Sequence, residues 1–278
     1  MTPPKIINRN IEDKTLLDLS IQLSLGGLSF CILDKSINTI THYTSFPFHD
    51  VISPHQLLEK VKRVFASALA LQQPFNKVKI VYVNELNSFV PTALFSDKNL
   101  GDYLKFNTKV LENDYITFDV LSNTEMVNVY IPYVNINNYI FEQYGTFEYK
   151  HYASLLVNSI LSTASSDDQS IMYVHVHENQ FDIVVLKQRK LQLFNSFSYT
   201  NKEDFIYYIL FTVEQLQLNP DKFQLYLLGA INKESPLYKM VYTYIRNIDF
   251  GKRNETFGFK EELVPPTDHE DYVLLNSF

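Results

Sequence analysis

The feature that most constrains the fold of this chain is an internal repeat. Residues 19–33 (LSIQLSLGGLSFCIL) align without a gap with residues 172–186 (MYVHVHENQFDIVVL), and the offset is 153, because 172 − 19 = 153. In both copies an alternating stretch reaches a tight turn, Gly26-Gly27 in the first and Glu178-Asn179-Gln180 in the second, and a second stretch returns. These turn residues tolerate positive φ, so the repeat predicts two β-hairpins.

Each hairpin is followed by further segments in the same order. A third extended stretch covers residues 37–46 in the first copy and 191–199 in the second, which extends each hairpin to a three-stranded meander. Later in each copy comes a short apolar segment, residues 78–83 and 223–228. Such short, nearly uninterrupted apolar segments are typical of parallel strands that are buried on both faces.

A helix is predicted between the meander and the last strand of each copy. Ser53 is an N-cap with Gln56 as its capping-box partner, and Thr200 with Glu203 repeats the pattern in the second copy. Apolar residues then recur at helical spacing and form one stripe that can pack against a sheet. The sequence therefore predicts a β-β-β-α-β unit twice, and this order of elements is the core of the ribonuclease H-like fold.

Two such units in one chain resemble the actin-like ATPase superfamily, which includes actin, sugar kinases, heat-shock chaperones and pilus-assembly actin homologues. More narrowly, the phrases LSIQLSLGGLSFCILD, FVPTALF and HVHENQFDIVVLKQRKLQLFNSF resemble an uncharacterised bacterial family, a domain of unknown function with an actin-like fold. The resemblance implies an α/β fold with two ribonuclease H-like lobes. We expect residues 1–165 to form the first lobe, with an inserted segment at about 87–150, and residues 166–278 to form the second.

Several smaller elements are predicted outside the repeated units. The expected strands are 115–121 and 126–133, the expected helices are 136–144 and 151–161, and the polar run 162–169 is the best candidate linker. The final residues, 265–278, combine an acidic patch with Val273-Leu274-Leu275. They are compatible with a docking tail or a last strand, and we favour the strand.

The resemblance also implies where a nucleotide site would lie. Nucleotide-binding members of the superfamily carry an Asp-x-Gly pattern in each hairpin, where the acid positions a metal ion and the turn faces the phosphates. This chain keeps Gly26 and Gly27 but has Ser24 at the acid position, while the second hairpin has His177 for the acid and Asn179 for glycine. Serine carries no charge and neutral histidine prefers softer metals than Mg²⁺. We therefore assign no catalytic residue.

A third loop also matches the superfamily. Gly229-Ala230 follows the last strand of the second unit and resembles the small-residue turn at which the nucleoside approaches the backbone. A strand-to-helix turn that needs positive φ explains this glycine equally well. The candidate cofactor-binding residues are therefore Ser24, Gly26, Gly27, His177, Asn179, Gly229 and Ala230, and nucleotide binding without hydrolysis stays open.

His175 and His177 alternate with valines, so both imidazoles lie on one face of a strand. Such a pair could supply two ligands to zinc or another transition metal. A third ligand has no assigned source, although Glu203, Asp204, His151 and His55 are available. Ordinary polar residues facing a cleft are the alternative, supported by Gln22 and Ser24 at the matching positions. We therefore assign no metal ligand.

Composition excludes several classes of protein. The chain has 24 Lys plus Arg against 31 Asp plus Glu, a net charge of −7 without long runs, so a nucleic-acid partner is not expected. A lone cysteine, Cys31, lies in an apolar strand and is expected to be a small buried hydrophobic residue. No apolar stretch approaches the ~20 residues of a membrane span, and the start resembles no signal peptide. We expect a cytoplasmic protein without membrane insertion.

These observations favour a catalytically degenerate actin-like protein without a cofactor. It would act through contacts with a protein partner, as a dimer or an adaptor, and we expect it not to be an enzyme. The alternative is a nucleotide-binding ATPase or switch that uses ATP with Mg²⁺ and has rebuilt its metal site with Glu178 or another acid.

Overall fold

The computed structural model describes residues 16–48, 53–106, 108–111, 113–122, 124–164, 168–254 and 257–278. The strands are β1 (Leu17–Ser24), β2 (Gly27–Asp34), β3 (Thr39–Pro47), β4 (Lys77–Tyr82), β5 (Asn87–Pro91), β6 (Thr117–Val120), β7 (Met126–Tyr130), β8 (Glu148–His151), β9 (Ile171–Val176), β10 (Gln180–Lys187), β11 (Lys190–Ser198), β12 (Gln224–Gly229), β13 (Asn247–Phe250) and β14 (Gly258–Phe259). The α-helices are α1 (Pro54–Ser67), α2 (Leu100–Leu104), α3 (Val134–Tyr144), α4 (Tyr152–Thr163), α5 (Lys202–Gln215), α6 (Pro236–Tyr244) and α7 (Tyr272–Leu275).

Two mixed sheets with the same internal strand order form the centre of the fold. The first sheet has the order β14-β3-β2-β1-β4-β8 and the second has the order β11-β10-β9-β12-β13. In both, the first three strands are antiparallel neighbours and the last two run parallel to the first strand. The duplicated ribonuclease H-like prediction is therefore confirmed. The structure also adds a helix and a fifth strand to each unit, α3 with β8 and α6 with β13.

The repeat extends to an irregularity in the strands. The pairing between the second and third strands shifts register between Ile32 and Leu33 in the first unit and between Val185 and Leu186 in the second. The two shifts are again separated by 153 residues, since 185 − 32 = 153. Both units therefore have a strand irregularity at the matching position. Because such irregularities increase the local twist, the two units share strand twist as well as strand order.

The turns differ from the prediction in their backbone conformation. Within the described backbone, neither Gly26 nor Gly27 has a positive φ, and neither do residues 178–180. Gly27 is required for a different reason, because a Cβ atom there would lie 2.9 Å from the carbonyl oxygen of Phe46 on β3. Positive φ values occur one turn later, between the second and third strands, at Asn38 in the first unit and Gln188 and Arg189 in the second.

The helix starts agree with the sequence in one unit and shift by one residue in the other. Ser53 caps α1 and Gln56 completes the capping box, as predicted. In the second unit the N-cap is Asn201 and not Thr200, because Asn201 accepts the N–H of Asp204 at 2.8 Å. The Asp204 carboxylate in turn accepts from the N–H and the hydroxyl of Thr200, so Thr200 lies one position before the cap.

Three apolar layers hold the sheets and helices together. One face of the first sheet packs against α1 and α3, and the corresponding face of the second sheet packs against α5 and α6. The inner layer lies between the two sheets and contains buried residues of α4 and α7 together with Val81 of β4 and Val184 of β10. Helices α4 and α7 therefore connect the two units and define the space between the two hairpins.

The predicted insertion contains two kinds of element. Strands β5, β7 and β6 form a separate three-stranded antiparallel sheet with its own apolar cluster, whereas α3 and β8 complete the first unit. Strands β6 and β7 and helices α3 and α4 confirm the elements predicted for this region. The domain boundary near residue 165 stays a prediction, since residues 165–167 of the candidate linker lie outside the described residues.

The predicted last strand is wrong. Residues 272–275 form the one-turn helix α7, in which Tyr272, Val273, Leu274 and Leu275 are all buried. Four consecutive apolar residues can all be buried in a helical turn that is enclosed on every side, whereas a strand would place alternate residues on opposite faces. The β3 edge of the first sheet is in any case occupied by β14. Among the described helices, none is long and apolar enough to cross a membrane.

Candidate functional site

A cavity of about 870 Å³ lies where the two hairpins face each other. It is lined by the turn after β1, the turn after β9, the loop after β12 and residues 270–273. All seven candidate residues from the sequence line it, namely Ser24, Gly26, Gly27, His177, Asn179, Gly229 and Ala230. The duplicated fold thus brings together three segments that are far apart in the sequence, while their role in binding a nucleotide stays a prediction.

The first hairpin presents uncharged groups to this cavity. Oγ of Ser24 accepts a hydrogen bond from the N–H of Gly26 at 3.1 Å, so the serine closes its own turn. Further along the hairpin, the hydroxyl of Ser29 donates to that of Ser45 at 2.9 Å. Gln22 also lines the cavity. These groups can donate or accept hydrogen bonds, but none of them offers the negative charge that holds Mg²⁺.

The second hairpin carries a compact cluster of ionisable groups. Asp182 on β10 pairs directly with His175 on β9, and its side chain is buried, with only 1% exposed. Oδ2 of Asp182 lies 3.3 Å from Nδ1 of His175 and 3.1 Å from Nε2 of His177. The two rings lie nearly perpendicular, with their centroids 4.4 Å apart. One carboxylate oxygen is therefore shared by two imidazoles.

The other oxygen of the same carboxylate is held from the opposite side. Oδ1 of Asp182 accepts hydrogen bonds from the hydroxyls of Tyr152 at 2.8 Å and Ser196 at 2.6 Å. Burial alone would raise the pKa of Asp182, but its hydrogen bonds with His175 and His177 hold that pKa well below its usual range. Burial and the neighbouring His177 lower the pKa of His175. The cluster therefore fixes an ionised carboxylate beside the cavity.

None of the four candidate sources of a third ligand belongs to this cluster. His55 is exposed at the start of α1, and Glu203 and Asp204 are in the first turn of α5. The ring of His151 is engaged by Asn84 and Asn128. Among the described residues, the group of possible metal ligands is His175, His177 and Asp182.

Asp182 was missed from the sequence, although a signal for it exists. The turn after His177 makes residues 175 and 182 partners across the hairpin, so Asp182 shares a face with both histidines. The matching residues of the first unit are Gln22, Ser24 and Ser29, each 153 positions earlier. Hairpin register, and not spacing along one strand, would have identified the acid.

The loop after β12 needs its glycine for two reasons. Gly229 has φ of 81°, and a Cβ atom there would lie 2.2 Å from the carbonyl oxygen of Val176. The positive φ expected for a strand-to-helix turn is thus confirmed. The loop amides are used internally: the N–H of Gly229 donates to the carbonyl of His269 at 2.7 Å, and that of Ala230 donates to Val176 at 2.8 Å. The C-terminal segment therefore contacts this loop directly.

Glu178, the acid that a rebuilt metal site would use, lies in the turn after β9 and not on the strand. The alternation of side chains along β9 therefore does not decide which way its side chain points. It is exposed and lines the cavity together with Glu85 and Glu270. A fourth carboxyl group, that of Asp271, accepts a hydrogen bond from the hydroxyl of Tyr43. At the two positions where the resemblance implies metal-anchoring acids, Ser24 and His177 offer no carboxylate oxygen to Mg²⁺.

The fold is found in solved structures. A Bacteroides thetaiotaomicron protein with an actin-like ATPase fold and unknown function matches with a TM-score of 0.77 and 22% identity, over 84% of this chain and 90% of that chain. A PilM–PilN type IV pilus biogenesis complex matches with a TM-score of 0.60 and 13% identity, over 93% of this chain and 96% of that chain. Both are similar in fold, and the chain has an actin-like ATPase fold. A search of curated proteins finds no match.

The sequence also matches a protein family directly. The match covers residues 8–248, which include both hairpins, the inserted sheet and the loop after β12. The cluster at His175 and most residues that line the cavity thus lie within the matched region, while the lining residues 270–273 follow it. The chain belongs to the family described as protein of unknown function, DUF3822.

Proposed function

We propose that this protein is a catalytically degenerate actin-like protein that does not hydrolyse Mg·ATP and acts through contacts with a protein partner. The observation that carries the proposal is the chemistry of the two hairpins. Ser24 and His177 occupy the positions of the two metal-anchoring acids, and both lie at the cavity between the lobes. Without a carboxylate at either position, Mg²⁺ lacks the hard anionic ligand that phosphoryl transfer requires there.

The backbone donors near these positions support the same proposal. The N–H of Gly26 donates to Ser24, and those of Gly229 and Ala230 donate to protein carbonyls. Phosphate sites of this kind depend on N–H groups that point at the ligand. Here the donors contribute to the stability of their own loops instead.

Two observations support a role in protein contacts. One similar structure is a complex, PilM–PilN, and its likeness to this chain extends over 93% of the chain. In addition, the outer helices of the second unit expose aromatic side chains, with Tyr207 and Phe211 stacked on α5 and Tyr242 and Tyr244 exposed on α6. Aromatic residues are enriched at protein interfaces.

Phosphate release from Mg·ATP tests the proposal. We expect the purified protein to release phosphate no faster than a Ser24→Arg variant, in which the arginine side chain would enter the cavity. Ser67→Arg is the matched control, because Ser67 is exposed at the end of α1. Turnover that Ser24→Arg abolishes and Ser67→Arg retains would contradict the proposal.

A second candidate is a nucleotide-binding switch with a rebuilt metal site. The cavity of about 870 Å³ is within the range of roughly 300–1,000 Å³ that ligand pockets occupy. Glu178 and Glu85 line it and are the acids that such a site would use. The switch requires that nucleotide bind to the folded protein and stabilise it. A measurement of nucleotide binding therefore distinguishes the switch from the degenerate protein proposed above.

A further inference from the structure

We propose that His175, His177 and Asp182 form a binding site for a divalent transition metal ion of the zinc class, open to the cavity between the two lobes. The ligand atoms would be Nδ1 of His175, Nε2 of His177 and Oδ2 of Asp182. All three lie within 4.8 Å of one another and converge from two adjacent strands. The site goes beyond the proposed function, which concerns Mg·ATP and protein contacts.

The distances between the ligand atoms fit a small metal ion. Tetrahedral zinc with bonds of about 2.0–2.1 Å separates its ligand atoms by about 3.3 Å. Oδ2 of Asp182 lies 3.3 Å from the nitrogen of His175 and 3.1 Å from that of His177. Two of the three pairs of ligand atoms therefore already have the spacing of a tetrahedral ion, and the two histidine nitrogens lie within 4.8 Å of each other.

The surroundings of Asp182 would hold the carboxylate in a metal-binding orientation. Tyr152 and Ser196 both donate to Oδ1, which leaves Oδ2 directed at the two histidines. Hydrogen bonds of this kind to a ligating carboxylate fix its orientation and raise metal affinity. Tyr152 comes from α4, between the sheets, so the inner layer of the fold supports the site.

The three side chains differ in their access to the cavity. Asp182 is 1% exposed and His175 is 8% exposed, whereas His177 is 24% exposed. Two ligands are thus fixed in the protein and one faces the opening, where water or a bound molecule could complete the coordination. Three protein ligands with one open position distinguish a reactive or ligand-binding metal site from a closed structural one.

The choice of metal follows from the donor set. Imidazole suits zinc, iron, copper and nickel, while Mg²⁺ prefers oxygen ligands only. His177 stands at the position where the resemblance implies an acid. The residue that is unsuited to Mg²⁺ is therefore a ligand for softer ions. The first hairpin has Gln22, Ser24 and Ser29 at the matching positions, so only the second unit offers this donor set.

Metal binding by untagged, chelator-treated protein tests the site. Co²⁺ serves as the probe because its visible absorption reports nitrogen and oxygen coordination, and Zn²⁺, Fe²⁺ and Ni²⁺ compete against it. We expect one equivalent of Co²⁺ to bind, and we expect elemental analysis of a separate Zn²⁺-loaded sample to find about one equivalent of Zn²⁺ after dialysis. His177→Ser, which copies Ser24 of the first unit, should weaken binding at least tenfold.

Two further variants complete the test. His55→Gln is the matched control, because His55 is exposed and is not part of the cluster, and it should bind Co²⁺ like the unaltered protein. Asp182→Asn should also lose the site. Because Asp182 is buried, its variant could fail to fold, and the partly exposed His177 then carries the test alone. Absence of Co²⁺ absorption, or equal binding by His177→Ser, would show that the cluster is held by hydrogen bonds only and would overturn the proposal.

Discussion

At the scale of single residues, the environment of His151 shows how burial fixes a protonation state. Its Nδ1 accepts the N–H of Ala153 at 3.3 Å and so caps α4, while Nε2 lies 3.1 Å from the carbonyl oxygen of Asn84. Burial lowers the pKa of His151 to about 3. Both nitrogens have partners that suit the neutral ring, so protonation would break the cap and place a charge in a buried site, a cost that the nearby Asp182 offsets only in part.

This environment predicts a loss of stability in mild acid. The unfolded state has an ordinary pKa of about 6.5, so it binds more protons than the folded state at every pH between about 6.5 and 3. The contribution of His151 is therefore complete above pH 6.5 and decreases as the pH falls. At pH 5 the expected loss is about 2 kcal/mol.

Urea unfolding at pH 7 and pH 5 measures this effect. The free energy of unfolding of the unaltered protein and of a His55→Gln control should fall by similar amounts between the two pH values. His151→Asn keeps a side chain that can cap the helix but has no ionisable ring. In this variant the free energy of unfolding should therefore decrease by about 2 kcal/mol less between pH 7 and pH 5. Equal decreases in all three proteins would mean that protonation of His151 is not coupled to folding.

At the scale of elements, the C-terminal helix α7 contributes to the core between the lobes. Leu274 is fully buried, and its carbonyl oxygen lies 3.9 Å from Sγ of Cys31 on β2. Ser277 donates to Ser20 on β1 at 2.6 Å, so the segment contacts both β2 and β1 of the first sheet. Burial raises the pKa of the Cys31 thiol. This thiol therefore reports on whether α7 is in place.

Leu274→Ala should destabilise the protein by about 2–5 kcal/mol, because it creates a cavity in a packed layer. It should also speed the reaction of Cys31 with a thiol reagent under native conditions. Val264→Ala is the control, since Val264 is 87% exposed and should change the free energy of unfolding by less than about 0.5 kcal/mol. Equal thiol reactivity in both variants would contradict the placement of α7 against β2.

The sequence predicted the elements within the repeat better than those outside it. The hairpins recur at an offset of 153 residues and the helices α1 and α5 at 148, since 202 − 54 = 148, so each copy supports the assignment of the other. Helix α7 occurs once and has four consecutive apolar residues without a period, and only its tertiary surroundings decide its conformation.

Asp182 was missed for a related reason, since its approach to His175 depends on the register of the hairpin. Gly27 was recognised as a turn residue, but its close contact with Phe46 involves a third strand.

At the scale of the whole molecule, the two units keep the actin-like architecture while the chemistry at their hairpins differs. The first hairpin presents only uncharged side chains to the cavity, and the second has an aspartate held between two histidines. The C-terminal segment contacts the loop at Gly229, where superfamily members would receive a nucleoside. The scaffold is therefore retained, and the proposed function predicts that it does not bind Mg·nucleotide.

Thermal unfolding with and without Mg·ATP tests this claim most directly, because a ligand that binds the folded state must raise its melting temperature. At 1 mM nucleotide, a dissociation constant of 10 μM would add about 2.7 kcal/mol and raise the melting temperature by several degrees. We predict melting curves that superimpose in the presence and absence of 1 mM Mg·ATP. A rise of several degrees that Ser24→Arg removes would contradict the proposed function and favour the nucleotide-binding switch.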